Sequence, residues 1–96
     1  MVVAVSKDDL VAGVAAGGVL FDTRPQPKTV FGLLPRPLSL EAVGRGVLPV
    51  LPPDTPVFLV CERGQVSELA GLYLEAGGFT HVFHLAGGTR AWSESS

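Results

Sequence analysis

Cys61 is the only cysteine in the sequence, and the stretch after it, Glu62-Arg63-Gly64-Gln65-Val66-Ser67, includes residues that can hold an anion, Arg63 and Gly64 above all. The thiolate is the reactive form of cysteine, and positive charge or a helix N-terminus favours it. Arg63 brings a fixed positive charge two residues on. Gly64 allows a backbone conformation closed to other residues and lets the chain come close to the sulfur. A single cysteine closes no internal disulfide and cannot build a zinc site of the cysteine-rich kind. Two readings follow: a buried small hydrophobe, the commoner fate of a free thiol, or a nucleophile.

The flanking elements bear on that choice. Val57-Phe58-Leu59-Val60 is a continuous apolar run and reads as a buried strand ending at Cys61. After the loop, Leu69, Leu72, Tyr73 and Ala76 recur at helical spacing, widened by Ala70 and Leu74, until Gly77-Gly78 ends the helix. Further elements repeat this alternation. Val2–Val5 is a short β-prone run, and Ser6 is a predicted N-cap for a helix with Asp8 and Asp9 in its first turn. Leu10, Val11 and Val14 keep one face of that helix apolar. Val19-Leu20-Phe21 is a second buried strand, stopping at Asp22.

Prolines 25, 27, 35 and 37 make residues 25–37 rich in turns. Leu38-Ser39-Leu40 is a predicted short strand, and Glu41–Gly46 a helical turn. His81–Leu85 is a third strong strand, and Gly87-Gly88 turns the chain into a short helix carrying Ala91 and Trp92. Strands alternating with helices imply one α/β domain over residues 1–96. Its central sheet is mainly parallel, of about five strands, with helices on both faces. Residues 93–96 are expected to fray. In open parallel sheets, ligands bind beyond the carboxyl ends of the strands, where Cys61 falls.

The loop CERGQVS, residues 61–67, resembles that of the rhodanese family, which starts with a nucleophilic cysteine and reads Cys-x-x-Gly-x-x-Ser/Ala. Phe21-Asp22-Thr23-Arg24 resembles the family's apolar–Asp–x–Arg segment. Gly32-Leu33-Leu34-Pro35 stands where the family has Gly-His-Ile-Pro. GGFTHVFHLAGGTRAW, residues 77–92, resembles the family's last strand, glycine turn and Ala-Trp ending. The four landmarks occur in order over residues 19–92.

The resemblance implies a rhodanese-like fold and a thiosulfate sulfurtransferase-type activity. Cys61 would take a sulfane sulfur from a small donor such as thiosulfate, hold it as a persulfide, and pass it to a thiol or cyanide. Backbone N–H groups can stabilise that anion without a metal or organic cofactor. The loop residues Glu62, Arg63, Gly64, Gln65, Val66 and Ser67 would surround the substrate, with Asp22 and Arg24 as a supporting pair. Related phosphatases carry Cys-(x)5-Arg, a loop one residue longer. Ser67 stands at the corresponding place here, which favours sulfur transfer.

Val66 stands where many single-domain members have arginine, and Glu62 offsets part of the positive field. Both fit a persulfide carrier loaded by a protein of a sulfur relay, such as a cysteine desulfurase. A non-catalytic binding module is a further alternative, and a phosphatase or arsenate reductase a minor one.

The remaining signals are narrower. Seven Lys and Arg against nine Asp and Glu give a net charge of −2, no footprint for nucleic acid or an anionic membrane. The longest apolar stretches are strand-sized, which predicts no membrane span. The opening MVVAVSKDDL places apolar residues before charges, the reverse of a secretory signal, and predicts a cytoplasmic chain. His81 and His84 read as ordinary strand residues without the ligand cluster a metal would need. Trp92 reads as a core plug, and Ser67 as a helix cap.

Overall fold

The computed structural model describes residues 1–95, with side chains described through Trp92. Five strands form one parallel sheet: β1 (Val3–Val5), β2 (Val19–Asp22), β3 (Arg36–Pro37), β4 (Val57–Val60) and β5 (Val82–Leu85). Their order across the sheet is β1-β5-β4-β2-β3. The longest pairing aligns Val19–Asp22 with Val57–Val60. All four side chains of β4 are buried. That explains its unbroken apolar sequence, since a central parallel strand is covered on both faces.

Strand alternation divides the interior into two clusters. On one face, Phe21, Val57, Leu59 and Val82 pack with Val43, Ala70 and Leu74 from helices α2 (Leu40–Gly44) and α3 (Gln65–Ala76). On the other, Leu20, Phe58, Val60 and Leu85 pack with Leu10 of helix α1 (Lys7–Ala15), with Trp92 partly buried against them. Each fully buried side chain of this size contributes about 1.5–3 kcal/mol over its exposed state. The Ser6 hydroxyl caps α1 by accepting the Asp9 N–H at 3.1 Å. Among the described residues no helix is long and apolar enough to cross a membrane.

Two sequence expectations change. The short strand predicted at Leu38–Leu40 lies instead at Arg36–Pro37. Ser39 is diverted into capping α2, its Oγ accepting the Ala42 N–H at 3.2 Å, and Leu40 already belongs to the helix. Pro37 is tolerated in β3 because this strand is a sheet edge, where a missing N–H breaks no ladder. The second change is the buried face of α3. Leu69, Leu72 and Tyr73 are exposed, whereas Ser67, Ala70, Gly71 and Leu74 face the sheet. Small residues on the inner face let the helix lie close. A Cβ on Gly71 would stand 3.0 Å from Val2 and 3.1 Å from Val82.

After β5 the chain makes 3-10 turns over Thr89–Ser95, kinked at Trp92. Of the tail expected to fray, Ser96 lies outside the described residues.

Candidate active site

β4 delivers Cys61 to the carboxyl end of the sheet, and α3 starts four residues later. The N-cap of α3 is Gly64, at φ +91, a left-handed conformation that favours glycine. Glycine has no side chain to cap the helix, and the Cys61 sulfur takes that place. Sγ accepts the Gly64 N–H at 2.9 Å and the Ser67 N–H at 3.3 Å. The Ser67 hydroxyl lies 3.4 Å from Sγ and 3.2 Å from the Gly64 carbonyl oxygen. Ser67 is therefore not the cap the sequence suggested. It sits inside the first turn, fully buried, with its hydroxyl against the sulfur.

These contacts decide the state of the thiol. Burial pushes its pKa up, but the Ser67 hydroxyl and the backbone N–H groups of Ser67, Gly64 and Arg63 outweigh it. The net shift is below the ordinary value of 9.0. Arg63 thus acts on the sulfur through its backbone. Its side chain is exposed at the rim, where solvent screens it.

The loop is clamped from behind by the segment after β5. Thr89 N–H bonds the Cys61 carbonyl at 2.8 Å, and Arg90 N–H bonds the Glu62 carbonyl at 2.9 Å. Gly88, at φ +73, lies directly against this loop. A Cβ there would overlap the Glu62 carbonyl and the Arg63 nitrogen.

On the other side Asp22 is wholly buried. Its carboxylate accepts from Arg24 Nη2 at 2.6 Å, Arg24 Nε at 2.9 Å, the Arg24 N–H at 2.9 Å and the Lys28 N–H at 3.2 Å. This folds residues 22–28 into a tight wall, and Arg24 Nη1 reaches Thr89 Oγ1 at 3.5 Å.

Between wall and loop lies a cleft of about 580 Å³ with Cys61 in its lining. Of the residues singled out from sequence, Arg24, Glu62, Arg63, Gln65 and Val66 also line it. Gly64 and Ser67 stand behind the sulfur, and Asp22 behind Arg24. Sequence reasoning missed Lys28, Thr89 and Arg90, which the fold brings to the same cleft. For Thr89 and Arg90 the available signal was their position just after Gly87-Gly88. Lys28 carried none beyond its place in the proline-rich stretch. Arg90 also lies 3.7 Å from Glu62, an exposed pair that neutralises part of the acidic charge beside Cys61. His84, expected to be an ordinary strand residue, is buried with its Nδ1 3.4 Å from Ser67 Oγ. His81 is exposed and 2.9 Å from Thr80 Oγ1.

A buried, donor-rich sulfur opening on a basic cleft suits nucleophilic attack on an anion. The rhodanese-like domain family matches over residues 6–95. The chain belongs to this family. This rhodanese-like domain is 31% identical over 77 residues to the thiosulfate sulfurtransferase GlpE of Pseudomonas fluorescens (strain SBW25), covering 79% of this chain and 71% of that protein. A rhodanese homolog from the extremely thermophilic bacterium Thermus thermophilus superposes with a TM-score of 0.75 at 34% identity, covering 95% of this chain and 99% of that one. The human single-domain sulfurtransferase TSTD1 shares the fold, with a TM-score of 0.76, 20% identity, and coverage of 97% and 96%. The α/β, parallel-sheet fold expected from the sequence is thus a rhodanese fold.

Proposed function

We propose that this rhodanese-like domain is a sulfurtransferase working through a Cys61 persulfide, with thiosulfate as a donor. The observation that carries the reading is the Cys61 sulfur held by two backbone N–H groups and one hydroxyl beside a basic cleft. The Cys61 thiolate attacks the outer sulfur of thiosulfate. A bond forms between Sγ and that sulfur, the bond to the sulfonate sulfur breaks, and sulfite leaves with the electron pair. The anionic charge then rests on the terminal persulfide sulfur, within the field of the loop donors. An acceptor thiolate or cyanide attacks that sulfur and regenerates the Cys61 thiolate. Lys28, Arg63 and Arg90 would draw the dianion in, and Arg24, braced on Asp22, would keep the opposite wall in place.

The test is mass spectrometry after incubation with thiosulfate. The protein should gain one sulfur atom, lose it to dithiothreitol, and release thiocyanate when cyanide is added. Cys61→Ser should abolish all three, and persistence of activity in that variant would refute the assignment.

A second reading, a carrier loaded by a sulfur-donor protein, is favoured by one feature. Val66, Leu69, Leu72 and Tyr73 form an exposed apolar stripe along α3 that begins at the lip of the cleft. Such a stripe suits contact with a protein surface better than with a small dianion. Loading by a cysteine desulfurase, together with negligible turnover of thiosulfate, would select this reading.

A further inference from the structure

His84 belongs to β5, yet its ring lies behind the nucleophile loop. It is 8% exposed, and alternation along the strand sends it to the α3 face while Leu85 joins the α1 cluster. His84 Nδ1 lies 3.4 Å from Ser67 Oγ, and that oxygen lies 3.4 Å from Cys61 Sγ. Sulfur, hydroxyl and imidazole form a buried chain of three groups.

A hydroxyl has one proton and can both give and accept hydrogen bonds. When Cys61 is a neutral thiol, its S–H can donate to Ser67 Oγ. The hydroxyl proton then goes to the Gly64 carbonyl or to His84 Nδ1. An anionic sulfur has no proton to offer and calls for donors instead. The hydroxyl must turn toward it, leaving its oxygen free to accept from His84 Nδ1–H. An imidazole protonated at Nδ1 therefore fixes the hydroxyl in the orientation the anion needs, and no heavy atom has to move.

We propose that His84 is a positioning residue, holding the Ser67 hydroxyl toward the Cys61 sulfur whenever that sulfur carries charge. As a catalytic device this rests on the persulfide reading. As a coupling between two titrations it does not. Loss of a proton from Cys61 favours retention of one by His84, and the effect is reciprocal.

The other charges around His84 are few. Burial lowers its pKa, Glu68 on α3 raises it, and the net shift is downward. Glu75, further along α3, is held by the N-terminal amine. Its register neighbours on β1 and β4, Ala4 and Leu59, are uncharged. Lys7, Asp8 and Asp9 belong to α1, on the opposite face of the sheet.

The test compares Cys61 alkylation by iodoacetamide across a pH series in the unsubstituted protein, His84→Leu and His84→Asn. His84→Leu is expected to react about fivefold more slowly near pH 6, the scale of one weakened hydrogen bond to a charged group, and to converge with the unsubstituted protein at high pH. His84→Asn offers an amide N–H at similar reach and should recover most of that loss. A merely structural role would give neither the pH dependence nor the rescue. A second measurement needs no change at His84. In nitrogen NMR, the His84 ring should show a second inflection where Cys61 ionises, and Cys61→Ser should lack it. A folded His84→Leu with an unchanged alkylation profile, or a His84 titration blind to Cys61, overturns the proposal. If thiosulfate fails to load Cys61 while the coupling is intact, the thiosulfate reaction falls and the coupling stands.

Discussion

Replacing Gly88 by alanine puts a methyl group against the backbone of the Cys61 loop. Two costs add. A residue with a Cβ at φ +73 loses roughly 1–2 kcal/mol to its own backbone. The methyl also overlaps the Glu62 carbonyl and the Arg63 nitrogen, which are main-chain atoms and cannot rotate away. Overpacking of this kind costs about 1–3 kcal/mol. The total, about 2–5 kcal/mol, is a large part of the stability of a small domain. For a chain of this length it lowers Tm by at least roughly 10 °C.

The chemical consequence is more specific. To relieve the overlap, Glu62 and Arg63 must shift, and the Gly64 N–H, 2.9 Å from Sγ, shifts with them. The thiol then loses a donor that lowers its pKa. The assay is a urea unfolding curve paired with iodoacetamide alkylation across pH. The expected result is a lower midpoint together with alkylation displaced to higher pH. A Gly88→Ala protein with both curves unchanged would show that the close approach does not govern the loop.

Four further outcomes are expected. Ser67→Ala removes the hydroxyl and keeps the backbone donors, so alkylation near pH 6 should fall by roughly threefold to tenfold, while reactivity at high pH converges. Asp22→Ala leaves Arg24 and the Arg24 and Lys28 N–H groups without their shared acceptor, and should cost about 3 kcal/mol in chemical unfolding, with weaker persulfide loading. Val66→Arg adds one positive charge at the cleft lip. At about 6 Å from a dianion in water, with salt screening, it should lower the KM for thiosulfate by roughly threefold. A large rise would argue for the protein-donor reading. The Cys61 pKa is lowered on folding, so its thiolate contributes stability that is full above the unfolded value of 9.0 and is lost as pH falls through the folded value. Urea midpoints measured across that window should rise with pH in the unsubstituted protein, and Cys61→Ser should lack that increment.

The residues of the candidate site could be read locally because their constraints are local. A buried strand, a sulfur, a glycine at positive φ and a helix start lie within nine residues, Val57–Gln65, and the backbone donors to the sulfur come from Gly64 in the loop and Ser67 in the first turn of the helix that follows. The existence of α3 was likewise plain from its spacing. Its orientation was not: a stripe of Leu69, Leu72 and Tyr73 looks like a core face until the sheet is in place. Only packing shows that Ala70 and Gly71 lie inside, and that at Gly71 even a Cβ would press on Val2 and Val82.

Distance in sequence set the remaining limit. Lys28 and Arg90 reach the cleft of Cys61 because β2 and β5 flank β4, an order that strand patterns do not reveal. Of the two histidines, composition gave no reason to separate His81 from His84, and alternation put them on opposite faces without saying which would be buried, because a parallel sheet is covered on both. The sheet separated them, leaving one in solvent and setting the other against Ser67. Sequence alone thus determined where the one sulfur would lie, at the end of a buried strand and just before a helix start, and what loop would hold it, since those follow from backbone conformation. Tertiary structure decided which charges share its cleft and which buried group faces its hydroxyl, since those depend on how strands far apart in the chain come to lie side by side.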